Sequence, residues 1–439
     1  MIEFPFFLEG YIVTDMKEED GEIHVSLRPN GMEEYPCPSC GVIGEHVKFG
    51  ATTLCIKDVN YQDKLVTLWI ERQRYQCKAC GKTFRPQLTG ISSDYLMTQR
   101  LVDLIAREAL SHTNKEVADR YGVDEKTVRL ILDTVLNNCN KFYKPATPRV
   151  LGIDELCIGK RYRCVLTNVE ERTLIDILKS RNKPDVSKFL YFKLHRPDVE
   201  VVTMDMWGPY RGAVHEALPD ADIVVDKFHV TRMANDALEK IRKSLHQGLS
   251  STDRRILKGD RKILLKRKRD LSPQEELIAS GWLNNFGELY TAYELKEQFF
   301  DIWDSSKDAF EAEERLCAWR ESIPSSQSSY WQDLLKAETN WHTEILNYFR
   351  HGMVITNAIT ESLNRQIRDI NRDGRGYTFD VLRGKMLFSY KHKVIRRSRS
   401  DSPFKPGVKE STWMYYQTLR HRPWEPANFL DYGVDLSTV

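Results

Sequence analysis

The chain has 439 residues, enough for two to four domains that each bury a core. It is 41% hydrophobic and 29% charged, an ordinary globular balance, and no stretch approaches the roughly 20 apolar residues of a membrane span. A formal net charge of +2 excludes a uniformly basic or acidic protein, yet it hides local separation. Twelve Lys/Arg face three acids from Lys240 to Asp270, five face fifteen from Leu271 to Glu344, and eleven face three from Arg365 to Arg399. Two basic blocks suggest a polyanion partner on defined faces, with solvated helical faces as the plainer alternative. Residues Met1 to Phe7 lack the basic-then-apolar order of a secretory signal, so a cytoplasmic setting is expected.

Residues 1–35 read as a β-rich lead-in. Two C-x-x-C-G turns follow, Cys37-Pro38-Ser39-Cys40-Gly41 and Cys77-Lys78-Ala79-Cys80-Gly81. In a reducing compartment such pairs point to metal and not to disulfides. Each tight turn aims two thiolates at one ion, so Cys37, Cys40, Cys77 and Cys80 are expected to hold a structural Zn²⁺. The 36 residues between the pairs (41–76) exceed the roughly 15–20 of a compact site. Strand-like alternation from Leu65 to Ile70 suggests that hairpins close the gap. Cys55 is expected to pack inside and His46 to lie at the surface.

Residues 97–137 read as helices. Leu101, Leu104, Ile105 and Ala109 form one apolar face. Asn114 to Val123 gives a short helix and a glycine turn; Asp124 then caps a helix from Glu125 to Leu136, whose Val128, Ile131, Leu132 and Val135 face inward. This is the layout of a helix-turn-helix, against an ordinary helical bundle. Lys126, Thr127 and Arg129 open the second helix and are expected to reach DNA. Arg72, Arg74, Arg365 and Arg368 are further candidate DNA contacts.

Pro145 and Pro148 mark a boundary. Beyond it, strands are expected at Val150–Leu156, Arg161–Asn168, Leu174–Leu178, Val201–Asp205 and Ile223–Asp226. Helices at Asp185–Leu194 and Tyr210–Leu218 interleave with them, giving an α/β layer with a mixed sheet. Three apolar strands each end in acid, at Asp154, Asp205 and Asp226. An ionised carboxylate away from water needs a cation or donors, so this edge is a candidate divalent-metal site. Helices from Val230 onward run through the basic block and an acidic region whose Trp282, Trp303, Trp319, Trp331 and Trp341 are expected in a core.

In the helix expected from Thr356 to Asn371, Ile355, Ile359, Leu363, Ile367 and Ile370 form an apolar stripe. Glu361 lies opposite, with Asn357, Asn364 and Arg368. On pattern alone that face is solvated. Asn is a weak helix former, however, and two of them suit orienting a metal ligand. A further amphipathic helix is expected from Phe379 to Val394, then a basic tail and an aromatic segment around Trp413, Tyr415 and Tyr416. Asp154, Asp205 and Glu361 together could hold two Mg²⁺ (or Mn²⁺) ions ~4 Å apart for in-line phosphoryl transfer.

The blocks Gly152-Ile153-Asp154-Glu155, Asp205-Met206-Trp207-Gly208-Pro209-Tyr210, Asp226-Lys227-Phe228-His229 and Thr356 to Asn364 resemble those of bacterial insertion-sequence transposases of the ISL-three (ISL3) family. The resemblance spans nearly the whole chain. It implies a multidomain α/β protein: a zinc ribbon (1–92), a helix-turn-helix (93–146), an RNase H-like mixed-sheet catalytic domain in two parts (147–235 and 351–400) interrupted by an all-α insertion (236–350), and a C-terminal tail (401–439). Asp154, Asp205 and Glu361 would be its DDE triad. Asp226 and His229 match a D-x-x-H element whose His would contact the scissile phosphate or a metal-bound water; the plainer alternative is a helix-start His paired with Asp226.

The implied activity is binding of terminal inverted repeats and Mg²⁺-dependent DNA cleavage and transfer by a homodimer, in the bacterial cytoplasm at the nucleoid. The rivals are a DNA-binding regulator without chemistry and a metal-dependent nuclease without strand transfer.

Overall fold

The computed structural model describes residues 8–30, 35–351 and 357–389. The chain divides into two units, Met1–Tyr143 with Asn371–Val439, and Lys144–Ile370.

The first unit begins with a hairpin of β1 (Tyr11–Glu19) and β2 (Glu22–Pro29). Its two-residue turn, Asp20-Gly21, has positive φ at both positions (54° and 79°), the mirror-image turn whose twist matches the flanking strands. A longer hairpin joins β3 (His46–Tyr61) to β4 (Lys64–Cys77) through Gln62-Asp63, again with positive φ at both residues. Strand β4 also pairs with β2 in parallel, Ile23 opposite Val66, and with the short β5 (Thr83–Phe84), so the sheet is mixed. Alternate residues Val66, Leu68 and Ile70 bury one face against Val25, Leu27 and Ile56.

Three helices follow: α1 (Gln99–Ser111), α2 (Asn114–Tyr121) and α3 (Glu125–Phe142). Each starts on a side-chain cap. The Thr98 hydroxyl accepts from Leu101 N, Thr113 and Glu116 form a reciprocal box, and Asp124 accepts from Lys126 N. Gly122 ends α2 at φ 60°, and a Cβ there would lie 2.7 Å from Leu65 Cδ1. Val128, Ile131, Leu132 and Val135 are buried as the spacing requires; Leu104 is only half-buried. The buried carboxylate of Asp58 on β3 accepts from Thr98 Oγ1 (2.6 Å) and Arg100 Nε (2.7 Å), which fastens α1 to the sheet.

In the second unit β6 (Val150–Ile158), β7 (Arg161–Asn168) and β8 (Thr173–Leu178) form an antiparallel meander. Helix α4 (Lys183–Lys193) leads to β9 (Val201–Met204), and α5 (Gly208–Ala217) leads to β10 (Asp222–Val225). Both new strands run parallel to β6, giving the order β10-β9-β6-β7-β8. Their mainly apolar runs reflect burial on both faces: Val201, Val202, Met204, Val224 and Val225 are all buried.

Next come α6 (Lys227–Ser244), α7 (Ser251–Gly259), α8 (Arg261–Leu265), α9 (Pro273–Asn285), α10 (Gly287–Ser305), α11 (Ala309–Glu321), α12 (Ser328–Asn340) and α13 (His342–Arg350). Trp303, Trp319, Trp331 and Trp341 are buried among them, and Trp282 is partly so. The basic block does not face outward as a whole. Arg267 pairs with Glu297, Asp301 and Asp304, while Glu239 takes Arg242 and Arg261. Much of the charge expected to meet a polyanion is therefore met by acids of the same chain.

Helix α14 (Ala358–Asp373) ends the second unit near Ile370, and α15 (Phe379–Phe388) packs on α1 and α3 in the first. A Cβ on Gly384 would lie 2.3 Å from Leu136 Cδ2, and Lys385 Nζ donates to the carbonyls of His112 (2.8 Å) and Ala109. Of the described residues in the segment 351–400, those up to Ile370 fall in the second unit and α15 falls in the first. Ile355, Thr356, the helix expected beyond Ser389, and Trp413, Tyr415 and Tyr416 lie outside the described residues.

Candidate active site and cysteine cluster

The parallel ladders fix the site. Ile153 pairs with Met204, and Met204 with Val225. The next residue on each strand is an acid: Asp154, Asp205 and Asp226. Parallel strands in register send such residues to one face, so the three carboxyls form a row across the sheet. Asp154 does not end its strand, as the apolar run suggested. Strand β6 continues to Ile158 along β7, and it is the parallel ladder that stops at Ile153.

Asp226 caps α6, its Oδ1 accepting from Phe228 N at 3.0 Å. One turn on, His229 Nδ1 lies 3.0 Å from Asp205 Oδ1, an ion-pair contact without in-line hydrogen-bond geometry. The pairing of His229 is thus with Asp205, where the plainer sequence reading had Asp226. Ligand atoms of Asp205, Asp226 and His229 all fall within 4.8 Å of one another.

Helix α14 reaches this row because β6 carries no side chain at Gly152. A Cβ there would lie 2.3 Å from Thr167 Oγ1 and 2.7 Å from Thr360 Oγ1, and those two hydroxyls hydrogen-bond at 2.8 Å. Asn364 Nδ2 donates to Asp154 Oδ2 at 2.6 Å, and Asn357 Nδ2 to Ile153 O at 3.5 Å. Asn357, Thr360 and Asn364 are buried together with Leu363 and Ile367. The asparagine side that a solvated pattern would leave open therefore lies on the sheet, with Glu361, Arg365 and Arg368 exposed beside it.

Burial raises the Asp154 carboxyl to about 7, and the charges of Asp205 and, more weakly, Glu361 add to it. Burial also raises Asp226, with Asp205 and Glu361 contributing. His229 is raised above its ordinary value, chiefly by Asp205. Asp205 Oδ1 and Asp226 Oδ2 are buried and lack a hydrogen-bond partner. Crowded hard oxygen donors fit a divalent cation such as Mg²⁺.

One neighbour had no signal in the sequence. Arg181, in the segment after β8, pairs with Glu155 and lies between the rings of Tyr162 (4.0 Å) and Trp207 (4.6 Å).

In the first unit, Cys37 Sγ is 3.7 Å from Cys80 Sγ, and Cys40 Sγ is 3.6 Å from Cys77 Sγ. A disulfide needs about 2.05 Å, whereas four thiolates ~2.3 Å from a tetrahedral zinc stand ~3.8 Å apart. The two turns are alike. Gly41 N donates to Cys37 O (2.8 Å) and Gly81 N to Cys77 O (2.9 Å), with φ of 73° and 71°. The β3–β4 hairpin fills the long gap between the pairs and sets His46 opposite Cys77. His46 is not a free surface residue, since its ring meets those of Tyr35, Tyr75 and Phe84. Cys55 is exposed rather than packed.

Arg72 and Arg74 are half-buried in this sheet, bonded to Pro86 O (3.4 Å) and Thr83 Oγ1 (2.6 Å). Their head groups are thereby already engaged. Lys126 and Arg129 are exposed at the start of α3, Arg129 beside Glu125, and Thr127 is half-buried.

The family model for the ISL3 transposases, described as "Transposase", matches residues 151–386, more than half of the chain. The chain belongs to the ISL3 transposase family. A second match, to the zinc-finger of transposase IS204/IS1001/IS1096/IS1165, covers residues 33–80 and so holds all four cysteines. The transposase for insertion sequence element IS1001 of Bordetella parapertussis is 23% identical over 381 residues, covering 84% of this chain and 92% of that protein. Membership implies that this transposase acts on DNA, and the ribbon match with its four-cysteine cluster supports a structural zinc. Among the described residues of the transposase, no helix is long and apolar enough to cross a membrane.

Proposed function

We propose that this transposase binds the terminal inverted repeats of its element and cuts and joins DNA strands at the acids of the second unit. The reading rests on one observation: α14, which carries Glu361, is seated on the Asp154 strand by Gly152 and by the Asn364–Asp154 hydrogen bond. That seat supports an RNase H-like sheet whose last acid returns after a helical insertion. Asp154, Asp205 and Glu361 would hold Mg²⁺ or Mn²⁺, which when bound supplies the positive charge that phosphoryl transfer needs.

The chain's own groups have separate tasks. Asn364 and Glu155 N hold the two oxygens of Asp154 in fixed directions. His229, whose proton affinity Asp205 raises, can donate a hydrogen bond to a phosphate oxygen. In the first unit α2 and α3 act as a helix-turn-helix, with Lys126, Thr127 and Arg129 toward DNA and the zinc ribbon bracing them through Asp58 and Arg100. Two ends must meet during transposition, so a homodimer on DNA is expected.

The test uses labelled terminal-repeat duplex, Mg²⁺ or Mn²⁺, and the full chain. Asp154→Asn, Asp205→Asn and Glu361→Gln should each abolish nicking and joining while end binding survives. Cleavage retained by one variant removes that residue from the set. Nicking without joining to a target strand would leave a nuclease.

A further inference from the structure

Beside the acids lies an open cleft of about 380 Å³ whose other walls have no part in holding metal. Asp205 and His229 form one side, and Trp207, Met206 and Met233 form apolar surface on the rest. Trp207 is 39% exposed, unusual for so large an apolar ring at a fixed position. It is held rigidly. Its backbone N–H donates to Asp205 O (2.7 Å), its carbonyl accepts from Tyr210 N and Arg211 N, and the Arg181 guanidinium covers its ring at 4.6 Å. Arg181 is in turn fixed by Glu155 and by Tyr162.

The charges of the cleft balance in sign. Arg181 stands with Glu155 and His229 with Asp205, and Arg232 and Asp236 add one charge of each sign from α6. Such a lining attracts an anion weakly. It suits a neutral, flat group with polar edges. A nucleobase has that chemistry, and it fits the volume. The two methionines adapt to different ring shapes, and stacking on an aromatic face tolerates any base.

We infer that this cleft is a nucleobase subsite: it receives one unstacked base of the DNA next to the phosphate held at the acids, with Trp207 as the platform. The inference rests on the proposed DNA-cleaving role of Asp154, Asp205 and Glu361. Unstacking a base has an energetic cost, which a preformed platform offsets, and removing the base would let the backbone approach the carboxyl row more closely.

The test is a cycle between protein and DNA with the full chain. Terminal-repeat duplexes are made with a single abasic nucleotide at each of the positions flanking the cleavage point. Wild type, Trp207→Ala and Trp207→Phe are compared by end affinity with Ca²⁺ and by single-turnover cleavage with Mg²⁺. On intact DNA, Trp207→Ala should cost roughly 10- to 100-fold and Trp207→Phe much less. On DNA abasic at one position, and only there, the Trp207→Ala penalty should vanish. A penalty equal on every duplex would mean that Trp207 is only structural and would overturn the subsite. Trp207→Ala with wild-type rates on intact DNA would do the same. If wild-type protein cleaves no duplex at all, the function assignment fails first, an outcome distinct from both.

Discussion

Asn364 on α14 donates its side-chain N–H to Oδ2 of Asp154 on β6, a 2.6 Å hydrogen bond between residues 210 positions apart. Both side chains are buried, so the bond fixes the carboxylate and the helix that carries Glu361 at once. Replacing Asn364 by Leu should lower the cleavage rate by roughly 10- to 100-fold, the usual cost of losing a partner that orients a ligand. End binding should be unchanged. A filter-binding curve beside a single-turnover time course checks both.

The Asp154 carboxyl titrates near 7 in the folded protein, against an ordinary value of 3.8. Between these values the folded state keeps a proton that the unfolded chain has lost, so stability falls as pH rises from about 4 to about 7. Without added Mg²⁺, Asp154→Asn should therefore melt higher than wild type at pH 8, and the gap should close toward pH 5. Thermal unfolding at the two pH values reads this directly. A variant that gains stability while losing cleavage is what a crowded acid site requires.

Gly152→Ala should unseat α14. Its Cβ would meet Thr167 Oγ1 and Thr360 Oγ1 well inside contact distance, a clash beyond the roughly 1–3 kcal/mol of ordinary overpacking. Cleavage should be lost, and the amides of α14 should exchange faster with solvent in a hydrogen-exchange experiment.

Cys77→Ser should remove bound zinc, unfold the ribbon and weaken end recognition, while the second unit keeps its own melting transition. Metal analysis of the wild-type chain should find about one zinc per chain, since the four thiol sulfurs already stand near tetrahedral spacing.

Lys126→Ala should weaken binding to all sequences alike and reduce the salt dependence by about one unit of slope if Lys126 meets a phosphate. A loss confined to the native repeat would instead place it on a base edge.

Much of this was legible because the parallel strands are buried on both faces and read as plain apolar runs stopped by acid. Arg161–Asn168 matches β7 residue for residue. Other features depended on partners that a linear pattern does not display. Asn357 and Asn364 fall on a face that pattern alone leaves solvated, although their residue type suited orienting a ligand; their amide N–H groups donate to a strand some two hundred residues earlier. Cys55 and His46 went to the wrong environments because strand faces alternate. Cys55 sits opposite the exposed Trp69, whereas His46 opens β3 beside an aromatic group. The charge blocks gave the sign correctly, but not that Arg267 would find Glu297, Asp301 and Asp304 within the same fold. The Asp20-Gly21 hairpin turn, by contrast, has a strong local signal, since both residue types tolerate positive φ.

The seating of α14 also sets a clock on the nascent protein. Asp154 and Glu361 leave the ribosome about 200 residues apart, roughly 10–40 s at ordinary rates of synthesis. Throughout that interval the strands can fold while the acid row still lacks its helix. A chain stopped between Asp226 and Asn357 would carry the acid row without Asn364 to orient Asp154, and without α15 to pack on α1 and α3.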